Sequence, residues 1–158
     1  MHITLITVGT LKEKYLQEAA AEYKKRLGGL SRLTEVNLRE ERIAEEQSSA
    51  AVRAALSAEG ARILAAIPEG AYTVALCVEG SMMSSEALAE TLGRGAAKGG
   101  KLCLIIGSSH GLSDEVKARA DLRLSVGPLT FPHQLMRVML LEILYRSFSI
   151  LNGKKYHK

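Results

Sequence analysis

The residues best equipped for chemistry lie at the end of the chain. Tyr156 can stack on a nucleic-acid base or hydrogen-bond to it, and His157, with an ordinary pKa near ~6.5, can exchange a proton close to neutrality. They sit among Lys154, Lys155 and Lys158, where a packed core has no use for an aromatic beside an imidazole. The plain alternative is a solvated tail. A second set consists of glycine-bearing segments placed after short apolar runs. Glu79-Gly80-Ser81 follows Leu76-Cys77-Val78, and Gly107-Ser108-Ser109-His110-Gly111 follows Leu104-Ile105-Ile106. Val126-Gly127-Pro128-Leu129-Thr130-Phe131 closes the series. Glycine permits a sharp turn or a close approach of backbone to a ligand, and Leu76, Leu129 and Phe131 would give such a pocket an apolar lining. Each segment alone reads equally well as a plain turn. Gly107 to Gly111 is neither the dinucleotide fingerprint nor a P-loop, and no Ser-His-Asp order or paired-carboxylate spacing stands out.

The elements that must position these segments alternate along the chain. Ile3 to Val8, Leu33 to Leu38, Tyr72 to Val78, Lys101 to Ile106 and Leu122 to Val126 read as strands. Helices are predicted over Lys12 to Leu27 and Ser48 to Ile67. A third begins at a Ser84 or Ser85 cap and runs to Ala97; a fourth opens at Ser113 with Asp114 and Glu115. Continuous apolar strands separated by helices imply an α/β fold, a mostly parallel sheet with helices on both faces. In such sheets ligands bind beyond the carboxyl ends of the strands, where all three glycine segments fall.

The last helix departs from ordinary amphipathicity. Leu135, Met136, Val138, Met139, Leu140, Leu141, Ile143, Leu144, Tyr145 and Phe148 cover nearly every angle around its axis. A helix apolar all round is buried all round, and a short chain supplies cover for one side only. A second copy of the chain across a two-fold axis would cover the other, so a homodimer is expected. Glu142 and Arg146, in the favourable i,i+4 order, read as a helix ion pair.

Composition bounds the remainder. The 158 residues fit one domain spanning 1–158, with 47% hydrophobic and 24% charged residues, which disfavours general disorder. The net charge of +4 leans weakly toward a polyanionic partner. No apolar run reaches membrane-spanning length, and the N-terminus lacks the pattern of a signal peptide. Cys77 and Cys103 lie in apolar strands without ligand spacing, so reduced thiols, no metal site and a cytoplasmic location are expected.

Several of these stretches carry a resemblance. Gly107 to Leu112, the run Leu129-Thr130-Phe131-Pro132-His133-Gln134-Leu135-Met136-Arg137-Val138, Glu142, Tyr145-Arg146 and Tyr156-His157-Lys158 are the most specific. With the Val8-Gly9-Thr10 opening, they resemble the small bacterial ribosomal RNA large-subunit methyltransferases of the SPOUT superfamily, the RlmH or YbeA-like family. The resemblance covers the whole chain. It implies a C-terminal trefoil knot, a homodimer, and S-adenosylmethionine bound by the knot loops. It also implies methylation of N3 of a pseudouridine in 23S ribosomal RNA on the assembled ribosome. The family's cofactor positions fall on Leu76, Gly107, Val126, Gly127, Pro128, Leu129, Thr130 and Phe131. Two departures stand out: Ser108 replaces a frequent second glycine, and Pro128 removes a backbone donor from the last segment. For a reaction at N3, His157 is the expected proton acceptor and Tyr156 the stacking or hydrogen-bonding partner. Arg137 is the expected stabiliser of negative charge on the uracil oxygens. His133 and His110 fit loop roles as well as chemical ones. A transfer-RNA substrate, or a non-catalytic RNA-binding module, are the alternatives.

Overall fold

The computed structural model of the protein describes residues 1–43, 48–154 and 156. Five strands, β1 (His2–Val8), β2 (Arg32–Leu38), β3 (Tyr72–Ser81), β4 (Lys101–Ile106) and β5 (Leu122–Leu124), form one sheet in the order β2-β1-β4-β3-β5. Every pairing is parallel. The helices are α1 (Lys14–Gly28), α2 (Ser49–Ala66), α3 (Ser85–Ala96), α4 (Asp114–Arg119) and α5 (His133–Leu151).

The two faces of the sheet are separated by strand alternation. Ile3 and Leu5 of β1 and Leu102, Leu104 and Ile106 of β4 pack with the apolar sides of α1, α3 and α5. Ile6 and Val8, with Cys103 and Ile105, point the other way, onto Ile63 of α2 and Val116 of α4. A period of two thus serves both helical layers, which is why the strands read as unbroken apolar runs. Burial pushes the Cys103 thiol up to about 12. Cys77, half-buried on β3, is also raised, by burial first and then by the charge of Glu79.

Hydroxyl caps start three helices. The side chains of Ser48, Ser84 and Ser113 accept from the N–H groups of Ala51, Ala87 and Val116. Of the two serines expected to cap α3, Ser84 does so. Two strand ends differ from expectation. β3 runs on to Ser81, and β5 stops at Leu124, because the Ser125 hydroxyl donates to the Gly127 carbonyl (3.0 Å) and turns the chain instead.

Helix α5 lies between α1 and α3 on one face, burying Leu140, Leu141, Leu144 and Phe148. It is not buried all round. Leu135, at 37% exposed, and Leu151, at 42%, are open in the single chain. Met139, Ile143 and Arg146, in line with Leu135 on the helix surface, are half-buried. The first turn of α5 is pinned to the β1–α1 connection. Arg137 Nη2 donates to the Thr7 hydroxyl and to the Gly9 carbonyl (3.0 Å), and the Lys12 N–H donates to Gln134 Oε1 (3.1 Å).

Arg137, expected to act on the substrate, is engaged in this anchorage. Arg137 is 6% exposed, and its guanidinium is directed at the end of β1. Burial lowers its pKa, an effect the Glu35 charge partly offsets. Replacing Arg137 by Ala should destabilise the protein by about 2–4 kcal/mol, through lost charged hydrogen bonds and lost stem packing. Thermal unfolding measures this; an unshifted midpoint would show that the anchor contributes nothing. In the native protein a thiol reagent at pH 8 should modify Cys77 well before Cys103, whose thiol is neutral there.

Candidate active site

A cavity of about 540 Å³ opens at the carboxyl ends of β3, β4 and β5. That volume falls within the range of roughly 300–1,000 Å³ that small-molecule sites use. Of the eight residues expected to hold a cofactor, Leu76, Gly107, Val126, Gly127, Leu129, Thr130 and Phe131 line it. Pro128, exposed, is outside the wall.

The first glycine segment is not a loop. Leu76 and Ser81 both pair with Leu124, so residues 77–80 form a wide bulge in β3 that swings Cys77, Val78 and Glu79 toward the cavity. Gly80 brings the chain back onto β5. A Cβ at that position would lie 2.7 Å from the Leu124 carbonyl carbon and 2.8 Å from Arg123 backbone. The second segment is a closed turn. The Gly111 N–H donates to the Ser108 carbonyl (2.9 Å), and a Cβ on Gly107 would overlap the Gly111 carbonyl. No residue but glycine fits at Gly107 without opening this turn.

The third segment follows from where its ends are held. Residues 125–132 leave β5 at the sheet edge and must reach α5, whose start is pinned beside β1. Three strand spacings amount to roughly 14 Å, whereas eight residues can extend over about 26 Å. The surplus chain folds over the strand ends as the outer wall of the cavity.

Glu79 belongs to a segment singled out from the sequence, but its pairing with Lys117 was not anticipated. They line the cavity and form an ion pair at 2.5 Å. The Lys117 hydrogen bond holds the Glu79 carboxyl below the usual range, and the Glu79 carboxylate raises Lys117. No local pattern could link them, because one lies on a strand bulge and the other on a helix reached through a different strand. His110, His133 and Met136 complete the wall. His133 approaches the β1–α1 turn: a Cβ on Gly9 would lie 3.6 Å from its Nε2 and 3.4 Å from Glu40 Oε2. Among the described residues, no group of three or more His, Cys, Asp or Glu could hold a metal.

Tyr156 is not in this cavity. Its ring meets Tyr145 edge-on at 4.6 Å, and the Arg146 guanidinium carbon stands 4.9 Å from the ring centre. Arg146 is itself paired with Glu142 at 2.6 Å, as the helical spacing predicts. Tyr145 follows His133 by twelve residues along α5, a rise of about 18 Å. Tyr156 therefore lies against the far half of the helix from its own cavity. His157 lies outside the described residues.

With this geometry in view, a family model described as Predicted SPOUT methyltransferase matches residues 1–157. The chain belongs to the SPOUT methyltransferase family. Among curated relatives of this SPOUT chain is a Listeria monocytogenes protein named Ribosomal RNA large subunit methyltransferase H. It is 47% identical over 159 residues, covering 100% of each chain. A probable methylase family protein from Haemophilus influenzae shares the fold, with a TM-score of 0.54 and 19% identity, over 99% of this chain and 70% of that one. A putative methyltransferase from Legionella pneumophila, solved with bound cofactor SAM, has a TM-score of 0.51 and 15% identity, over 91% of this chain and 65% of its own. No helix among the described residues of the SPOUT chain is long and apolar enough to cross a membrane.

The Glu79–Lys117 pair generates a pH-dependent prediction. Glu79 has a lowered folded pKa, so its contribution is present above the ordinary carboxylate value and disappears as pH falls through the folded one. Lys117 is raised, so its contribution is full below the ordinary lysine value and disappears as pH rises through the folded one. Lys117→Met should therefore cost a constant amount between about pH 6 and 9, and converge on the parent protein as pH falls through the lowered carboxylate pKa of Glu79. With Glu79 half open to solvent, that amount stays under about 1 kcal/mol. A gap that persists in acid, measured by urea unfolding, would mean that packing and not charge sets it. Gly107→Ala should reduce ligand affinity at least tenfold, because the turn cannot close around a Cβ.

Proposed function

We propose that the protein is an S-adenosylmethionine-dependent ribosomal RNA methyltransferase that methylates N3 of a pseudouridine in 23S ribosomal RNA on the assembled ribosome. The observation that carries this reading is the convergence of three chain segments, from β3, β4 and β5, on one cavity in a SPOUT chain. The 47% identity to a relative named for large-subunit ribosomal RNA methylation favours this substrate.

The cavity suits a nucleoside cofactor. Leu76, Ile106, Leu129 and Phe131 offer apolar surface, and the closed turn from Gly107 to Gly111 brings backbone to the cavity wall. Backbone of Val126, Gly127, Leu129 and Thr130 would hydrogen-bond the purine edge, while Pro128 has no N–H to contribute. Glu79 and Lys117 supply charge at the wall for the polar end of the ligand. S-adenosylmethionine bound here supplies an electrophilic methyl group, and no metal is needed.

The chain must then align N3 with the methyl group and remove the N3 proton. Orientation is worth roughly 7–11 kcal/mol in favourable models. We assign proton removal to His157 and base stacking to Tyr156, both from the partner of a homodimer. Two features support that assignment. Tyr156 is held on the far half of α5 from its own cavity, and exposed Leu135, in line with half-buried Met139, Ile143 and Arg146, suits a second copy. Leu129 at 69% and Met82 at 69% exposed add apolar surface that a neighbouring chain would cover. Arg137 acts here by holding α5, and so the outer wall, in place. The family's trefoil knot belongs to the same reading, and the course of residues 125–132 across the strand ends toward α5 favours it. A cytoplasmic location follows from a ribosomal substrate.

The test is transfer of labelled methyl to ribosomes lacking the modification, followed by nucleoside mass analysis. Labelled N3-methylpseudouridine is expected; label found instead in purified transfer RNA would replace the substrate. His157→Ala, or deletion of residues 156–158, should lower turnover by about 10²–10⁴-fold with cofactor affinity largely kept. Equal turnover in the deletion variant would exclude the tail from the chemistry.

A further inference from the structure

We infer that Glu59, a buried carboxylate of α2, is a positioning residue for cofactor binding and acts through the Ser108 hydroxyl. The inference rests on the cofactor reading given above. Glu59 is 3% exposed and Ser108 6%. Ser108 Oγ donates to Glu59 Oε2 at 2.8 Å, and the Glu41 N–H donates to Glu59 Oε1 at 2.9 Å. Both oxygens are thereby engaged, and Glu59 forms no ion pair among the described residues.

The nearby cation is committed elsewhere. Arg62, one turn further along α2, pairs with Glu41 Oε1 at 2.7 Å and donates to the Arg39 carbonyl at 3.0 Å. A buried carboxylate with no cation beside it is an expensive way to fill a core position, and an apolar residue would pack there at lower cost. What it supplies is direction. Ser108 is the hinge of the cavity turn: its carbonyl receives the Gly111 N–H, and it bridges to Gly111 across the turn. Glu59 fixes the third point, from behind the sheet. Gly107 and Ser108 then face the cavity in one orientation, set before any ligand arrives.

The Ser108 side chain is thereby tied to α2. The hydroxyl replaces conformational freedom with a tether. It also ties the cavity turn, through Glu41, to the segment that leaves β2.

The experiment uses the full-length protein, with S-adenosylmethionine and S-adenosylhomocysteine as calorimetric probes. Ser108→Ala deletes one oxygen and Glu59→Gln keeps the shape of the carboxylate. Each should weaken binding of both probes roughly tenfold, the scale of one charged hydrogen bond. In steady state the cofactor KM should rise by more than kcat falls, and the KM for ribosomes should not follow it. The double variant should bind no more weakly than the weaker single variant, because both act on one contact. Losses that multiply in the double variant, or an unchanged Kd in Ser108→Ala, would overturn the inference. Should Glu59→Gln not fold, Ser108→Ala decides alone. If the parent protein binds neither probe, the cofactor reading itself fails, which is a separate outcome.

Discussion

The anchorage of α5 to the end of β1 is the constraint from which the rest of the site follows. Arg137 is buried, loses most of its hydration, and recovers it from one hydroxyl and one carbonyl of the β1 terminus. Such an arrangement is costly unless the geometry is kept. Keeping it means that α5 begins beside β1 although the preceding strand, β5, lies at the opposite side of β3 and β4. The connecting residues have to pass over the carboxyl ends of β3 and β4. They become a cavity wall because of where their ends are held, and only secondarily because of their composition.

The other two walls depend on steric exclusion. The bulge in β3 returns to β5 at Gly80, and the turn after β4 closes at Gly107, each where a Cβ would meet backbone. Backbone cannot yield as a flexible side chain does. Gly80 thus fixes the return of the bulge onto β5, and Gly107 fixes the turn at the cavity wall. The charged pair Glu79 and Lys117 then joins the bulge to α4.

The far half of α5 carries a different assembly. Tyr145 meets Tyr156 edge-on and Arg146 lies over the Tyr156 ring, with Glu142 neutralising the guanidinium. One helix thus organises a cavity at its first turn and an aromatic cluster about 18 Å away. Tyr156 is thus held by the second half of α5, away from the residues that line the cavity.

Much of this was legible in the sequence. Strand period and apolar runs gave the five strands and the layered α/β plan, and Ser48, Ser84 and Ser113 marked the helix starts. Those features are set within a few residues, by local sterics and capping. The cavity segments were recognisable from glycines after apolar runs, and seven of the eight expected cofactor positions face one space. The role of Arg137, the pairing of Glu79 with Lys117, and the tether from Glu59 to Ser108 were not legible. Each joins residues far apart in the chain, and their partnership depends on strand order. That order, β2-β1-β4-β3-β5, is decided by which helices can share one face of the sheet. The sequence by itself determined the elements and the kinds of residue at their ends; the tertiary structure alone decided which of those ends meet, because packing between layers has no local signature.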